Sequence, residues 1–230
     1  MVGAIDVCPT HRYRDRMPSE TNPARRERAE LCDLFVELGP DEPTLCGDWT
    51  TRDLAAHLVV RERRPDAAVG IIVSKAAGYT DKVQSGVAET EWPKLVDTVR
   101  SGPPMWSPTK IGAVDKLANT AEFFVHLEDV RRAQPTWEPR TLDADLSDTL
   151  YGVLTNMAKR LVKTSPVGIV LEPTDDNEPI VAKEAEPSVT VRGPVGELVL
   201  FVYGRQAHSS VEVLGDDSSV ATVNSTSFGI

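Results

Sequence analysis

Two rhythms of apolar and polar positions divide the chain. From about residue 23 to residue 133, apolar side chains recur every three or four positions; beyond about 165 they gather in short β-branched runs cut by proline and glycine. The first spacing lines one face of a helix, and the second marks strands. A first helix is predicted to begin near Pro23, behind Thr21 or Asn22 as cap, because proline's missing N–H costs nothing in a first turn. Ala29, Leu31, Leu34, Phe35 and Leu38 form its stripe, and Gly39-Pro40 ends it. "DEPTLCGDW" reads as a loop. Thr50 or Thr51 then caps a second helix with Asp53 in its first turn, and Leu54, His57, Leu58 and Arg61 share one face. Pro65 breaks or kinks this helix, and "DAAVGIIVSKAA" resumes it. A third helix fits "ETEWPKLVDTVRS", stopped by Gly102-Pro103-Pro104, and "SPTKIGAV" is a loop. A fourth helix runs from Asp115 to about Ala133, with Leu117, Ala121, Phe124 and Leu127 at helical spacing. These helices have the number and lengths of a four-helix bundle.

The character changes after "QPTWEPR". One more helix is predicted at Leu146–Val162, followed by strands at "VGIVLEP", "PSVTVRG" and "ELVLFVYG" and a short last strand in "HSSVEVLG". "DDSSVATVNSTSFGI" reads as a weak element or a frayed end. The expected fold class is α+β: a helical bundle over 21–137 and a smaller α+β domain over 138–230. Residues 1–20 mix charge, proline and turn formers without a hydrophobic period, so a disordered tail is expected there.

Composition narrows the function classes. The chain of 230 residues is 40% hydrophobic and 26% charged, the balance of a soluble globular protein. No run approaches the roughly 18 apolar residues of a membrane span, and no apolar stretch follows a basic start, so a cytoplasmic protein without a membrane partner is expected. The net charge of −10 repels phosphate backbones and argues against nucleic acid. The three cysteines, Cys8, Cys32 and Cys46, are odd in number and lack a CxxC spacing, which argues against a disulfide framework or a cysteine zinc knuckle. Cys32 lies in an apolar helical stretch and is expected in the core. The phosphate-loop, dinucleotide, GxSxG and HExxH signatures are missing.

The chemistry concentrates in "AEFFVHLEDVRRAQ", residues 121–134. Glu122 and His126 are four apart and project from one side of a helix. Carboxylate oxygen and imidazole nitrogen both bind zinc, and a catalytic zinc takes three protein ligands and keeps one exchangeable position. His57 on the second helix is the remaining histidine that a bundle can turn inward, which gives a candidate His2Glu site of His57, Glu122 and His126. The plainer alternative is a surface salt bridge with a satisfied buried histidine. Asp129, one turn on, either accepts the other ring N–H of His126, as carboxylates behind metal-bound histidines do, or pairs with Arg132. Arg61, one turn after His57, is either a receptor for an anionic substrate or a surface arginine.

The segments "TLCGDWTTRDLAAHLVVRERRPDAA" and "LANTAEFFVHLEDVRRAQPTWEPR", with "SPVGIVL" and "PSVTVRGPVGELVLFVYGR", resemble the actinobacterial mycothiol-dependent maleylpyruvate isomerase family of the DinB-like superfamily. The resemblance runs from about Ala24 to Gly204. It implies a DinB-like bundle holding a divalent metal, usually zinc, on one histidine of the second helix and an ExxxH pair of a later one. Those positions are His57, Glu122 and His126 here, the same three that the spacing singles out. Relatives have a second histidine where this chain has Leu127, a position that is not a ligand. The resemblance also implies a catalytic arginine from the C-terminal part, for which Arg205 is the candidate; a surface salt bridge closing a strand is the alternative.

No cysteine of the chain is expected to supply a nucleophilic thiol, so the resemblance implies mycothiol as cosubstrate and a small electrophile as its partner. The expected activity is thiol transfer or a maleylpyruvate isomerase-like isomerisation. Two rivals stand beside it: a zinc-dependent hydrolase of a small amide or ester, with Asp129 as its nearest base, and a non-catalytic metal-binding module. A monomer or homodimer fits any of them.

Overall fold

In the computed structural model, which describes residues 22–64, 66–67, 77–104 and 113–229, the helical rhythm becomes five helices and the β-branched runs become a small sheet with helices against it. The predicted tail, most of the "DAAVGIIVSKAA" run and most of the "SPTKIGAV" loop lie outside the described residues. Helix α1 (Pro23–Leu38) starts where Asn22 Oδ1 accepts from the N–H of Ala24, with proline in the first turn. Helix α2 (Thr51–Arg63) opens with a reciprocal cap: Thr50 Oγ1 accepts from Asp53 N, and Asp53 accepts from Thr50 N. Helix α3 (Ala77–Ala88) packs on α2, and α4 (Trp92–Ser101) packs on α1 and α2. Helix α5 (Ala113–Arg131) lies along α1. Leu31, Phe35, Leu54, Leu58, Leu95, Val99, Phe123 and Leu127 fill the space between them, so the stripes read from the sequence do face one another.

Asp143 caps helix α6 (Ala144–Leu161), which packs on α5 and leads into the second core. Strands β1 (Gly168–Pro173), β2 (Ile180–Lys183), β3 (Ser188–Gly193) and β4 (Glu212–Leu214) form one sheet in the order β2-β1-β3-β4. β1 and β3 run parallel, and the outer strands pair antiparallel to them. Ile169, Leu171, Val189 and Val191 point to one side and pack with Leu150 and Leu154 of α6 and with helix α7 (Val195–Val202). Gly168 has no alternative at its place in β1, since a Cβ there would stand 2.2 Å from the Ala185 carbonyl oxygen.

The segment "ELVLFVYG", expected as a strand, is mostly helix α7. All eight residues of α7 are buried, so no polar face interrupts the run and no helical period shows. The final stretch, expected to be weak, holds helix α8 (Asp217–Ser225), which Asp216 caps through Ser219 N and which buries Val223. Strand β2 and helix α3 have no counterpart in the sequence reading.

A buried chain of charges ties the helical half to the sheet. Arg132, just past the end of α5, donates through Nε to Glu128 Oε2 at 2.6 Å and through Nη2 and Nη1 to the two oxygens of Glu197 on α7 at 2.6 and 2.8 Å. Arg140 donates to Glu128 and also to Glu27 of α1. Each oxygen of Glu128 and Glu197 thus meets a guanidinium N–H, the condition under which buried carboxylates stay ionised at tolerable cost.

Candidate metal centre

Four pieces of chain converge on one pocket. Helix α2 brings His57 and, one turn later, Arg61; helix α5 brings Glu122, His126 and Asp129 at steps of four and three. The loop between α1 and α2 brings Cys46 and Trp49. That loop is folded by its own polar groups: Thr44 Oγ1 donates to Trp49 O and accepts from Cys46 N, while Leu45 N donates to Asp129 O of α5. The turn after α7 brings Tyr203 and Arg205. There Gly204 N bonds Phe201 O and Arg205 N bonds Leu200 O, the two crossing bonds of a Schellman end. Gly204 sits at φ +88°, a left-handed conformation in which a side chain is strained, and this reversal aims Arg205 back at α5.

Glu122 Oε1 lies 3.5 Å from His57 Nε2 and 3.4 Å from His126 Nε2. The three ligand atoms are all within 4.8 Å of one another. Good N–H···O hydrogen bonds are shorter, about 2.7–3.2 Å. An ion bonded at about 2.0–2.1 Å with tetrahedral angles sets its ligand atoms about 3.3–3.4 Å apart. The donor set and its spacing therefore fit a zinc-like divalent ion. The imidazole of His126 is fixed from behind: Asp129 Oδ2 stands 3.0 Å from Nδ1, which keeps the ring proton there and leaves Nε2 free to ligate.

A second group, Cys46, His126 and Asp129, also clusters. Its separations are those of hydrogen bonds. Cys46 Sγ donates to Asp129 Oδ2 at 3.1 Å, and Arg205 donates to both Asp129 oxygens at 2.8 and 2.6 Å. Asp129 is fully buried and accepts from three side chains, so it is a tether rather than a ligand with room for an ion. Arg132 is elsewhere: of the two sequence-level alternatives, Asp129 turns to His126, and Arg132 turns to Glu128 and Glu197.

The electrostatics follow from these contacts. Burial by itself would raise the pKa of Glu122; the Arg61 charge and the nearby rings of His126 and His57 outweigh it and hold the carboxyl well below the usual range. Burial by itself would lower the imidazole of His126; the hydrogen bonds to Asp129, Cys46 and Glu122 outweigh it and raise it well above an ordinary histidine. A cation at Nε2 therefore has to compete with a proton whenever the ring is protonated. Burial pushes the thiol of Cys32 up to about 12, which keeps it inert in the core, as expected.

The ligands line a pocket of about 550 Å³. Arg61 and Arg205 are its cationic members, and Trp49, Val125, Val153, Met157 and Phe228 form an apolar wall. The ring of Trp49 lies 5.1 Å from that of His57. Cys46 also lines the pocket, so a thiol of the chain does stand at the site, although no cysteine was expected to supply one there. A cysteine in a loop carries no periodic signal, and its 83-residue separation from Asp129 hides the contact. Trp49, in the same loop, and Tyr203, in the turn after α7, carry no periodic signal either.

No family model matches this sequence, and no curated protein does. Two solved structures resemble the fold. One is the crystal structure of the mycothiol-dependent maleylpyruvate isomerase, with a TM-score of 0.51 and 14% identity over 86% of this chain and 93% of that one. The other is a histidine-to-alanine mutant of that isomerase, with a TM-score of 0.52 and 13% identity over the same shares. At such identities the likeness is one of fold: an α+β chain built like this isomerase.

Proposed function

We propose that the chain is a zinc enzyme that activates a low-molecular-weight thiol, mycothiol, for transfer to a small electrophile or for its isomerisation in the manner of maleylpyruvate isomerase. The observation that carries this reading is the approach of His57 and His126 to Glu122 at the edge length of a tetrahedral ion, with all three ligand atoms within 4.8 Å of one another and lining the pocket. The two fold neighbours, which are mycothiol-dependent by name, support the choice of thiol. A zinc ion held there would supply Lewis acidity, keeping a bound thiol as its nucleophilic thiolate.

The chain's own groups do the rest. Asp129 keeps the proton of His126 on Nδ1, so that Nε2 stays a donor. Arg61 receives the anionic group of the electrophile. Arg205, held by its two bonds to Asp129 and lining the pocket, stabilises the negative charge that grows on the electrophile as the thiolate adds. The apolar wall keeps water from the reacting thiolate. A hydrolytic use of the same ligands needs an unengaged base, and Asp129 already accepts from three side chains.

Protein purified without chelators is expected to carry about one zinc per chain, and His57→Ala to carry almost none. Cobalt-substituted protein titrated with mycothiol should develop a thiolate-to-metal charge-transfer band. Stoichiometric metal in His57→Ala, or an unchanged spectrum on adding thiol, would overturn the proposal.

Zinc binding should also depend on pH with a definite sign. The raised pKa of His126 means that the metal-free fold gains stability from the protonated ring below about pH 6.5 and loses it as pH rises through the raised value. The metal needs the deprotonated ring, so its affinity should climb by about tenfold per pH unit across that range. Competition titrations with a chromogenic chelator from about pH 6 to about pH 8 would read the slope, with a flat line as the refuting outcome.

A further inference from the structure

Arg61 occupies an odd position for a residue whose task is to bind a ligand. Its Nε lies 3.1 Å from Glu122 Oε1, the same oxygen that both histidines approach. Its Nη1 donates to Asn119 Oδ1 at 2.8 Å, and its Nη2 bonds none of the described residues. The side chain is 18% exposed and lines the pocket. Without a metal, the guanidinium is therefore the nearest permanent positive charge to Glu122. A divalent ion bound to that oxygen meets a fixed cation one bond away, and the two repel each other.

Arg205, the other cation of the pocket, has no such freedom. It is bonded twice to a fully buried carboxylate and once, through Nη1, to Tyr203 O at 2.6 Å. Arg61 shares a carboxylate that the metal would claim. On entry of the metal, Glu122 gives its charge to the ion and Arg61 is left with an uncompensated charge beside an apolar wall of Val125, Val153, Met157 and Phe228.

Resting on the metal reading above, we propose that Arg61 is a counter-cation exchanged by the metal. It weakens metal binding in the empty pocket, and once displaced from Glu122 it becomes the receptor for a singly charged anion with an apolar body. Metal and anion then bind cooperatively. Because coupling free energies are reciprocal, the factor by which zinc tightens the anion equals the factor by which the anion tightens zinc.

The sign of one mutation separates this role from the ordinary one. If Arg61 were only a hydrogen-bond donor steadying the ligand carboxylate, its loss would weaken zinc by about 10–100-fold. As a competing cation, its loss should tighten zinc by about tenfold, the size of a nearby charge–charge repulsion in a partly wet site. The experiment is calorimetric titration of the full chain with zinc, in wild type, Arg61→Gln and Arg61→Lys, with and without benzenesulfonate, an anion that ligates zinc poorly. Wild type should bind benzenesulfonate about tenfold more tightly when zinc is present, and zinc more tightly by the same factor when the anion is present. Arg61→Gln should bind zinc more tightly and lose the coupling, and Arg61→Lys should keep part of both. Weaker or unchanged zinc binding in Arg61→Gln, or coupling that survives in it, overturns the inference. Failure of wild type to bind zinc at all overturns the metal reading beneath it, so the two failures are distinct. Melting curves of each variant establish that it is folded.

Discussion

Arg132→Ala should lower the stability of the metal-free protein by about 3–5 kcal/mol, because it strands the buried carboxylate of Glu197 and strips one partner from Glu128. Glu197 would lose both guanidinium contacts on its oxygens, and Glu128 would lose its Nε partner while keeping Arg131 and Arg140. For a chain of this length the loss corresponds to a fall in melting temperature of roughly 6–20 °C. Scanning calorimetry or circular dichroism would register it. A melting temperature within about 2 °C of wild type would mean that the carboxylates find water or protons instead. The folded fraction should bind zinc as wild type does, since Arg132 touches none of the proposed ligands.

Asp129→Asn should do the reverse, acting on the metal more than on the fold. The amide preserves shape and one acceptor but removes the charge that holds His126 Nδ1–H and both Arg205 donors. Partners behind a metal-bound histidine commonly contribute 10–100-fold in affinity, so zinc should bind weaker by about that factor. Arg205 would also lose its anchor, and any thiol-dependent turnover should fall with it. Competition titration of zinc is the direct measurement; wild-type affinity in Asp129→Asn would remove Asp129 from the site's working parts.

The contrast between these two neighbours on one helix edge shows how far the sequence could be read. Spacing identified Glu122, His126, Asp129 and Arg132 as one row, and the first two line the pocket with Asp129 bonded behind His126. Spacing could not separate Asp129 from Arg132, because their roles depend on what stands opposite. Arg205 reaches the first from the turn after α7, and Glu197 meets the second from within α7. Caps and proline starts located α1 and α2 to within a residue, since those signals are local chemistry. The strand expected at "ELVLFVYG" failed for the opposite reason. A fully buried helix of valine, leucine and phenylalanine has a strand's composition, and only its flanks, with Pro194 before it and Gly204 after it, signal a helix.

Helix α5 also answers a question of modularity. Phe123 and Leu127 belong to the bundle's interior, while Phe124 and Val125 belong to the interior shared with the sheet. The same rod carries Glu122 and His126 between those flanks. It is a party wall, so a chain cut in the connection between α5 and α6 would leave the ligand-bearing helix with one oily side facing water. The two halves are thus a single piece of engineering, in which whatever loosens the sheet side also loosens the helix that carries the proposed ligands.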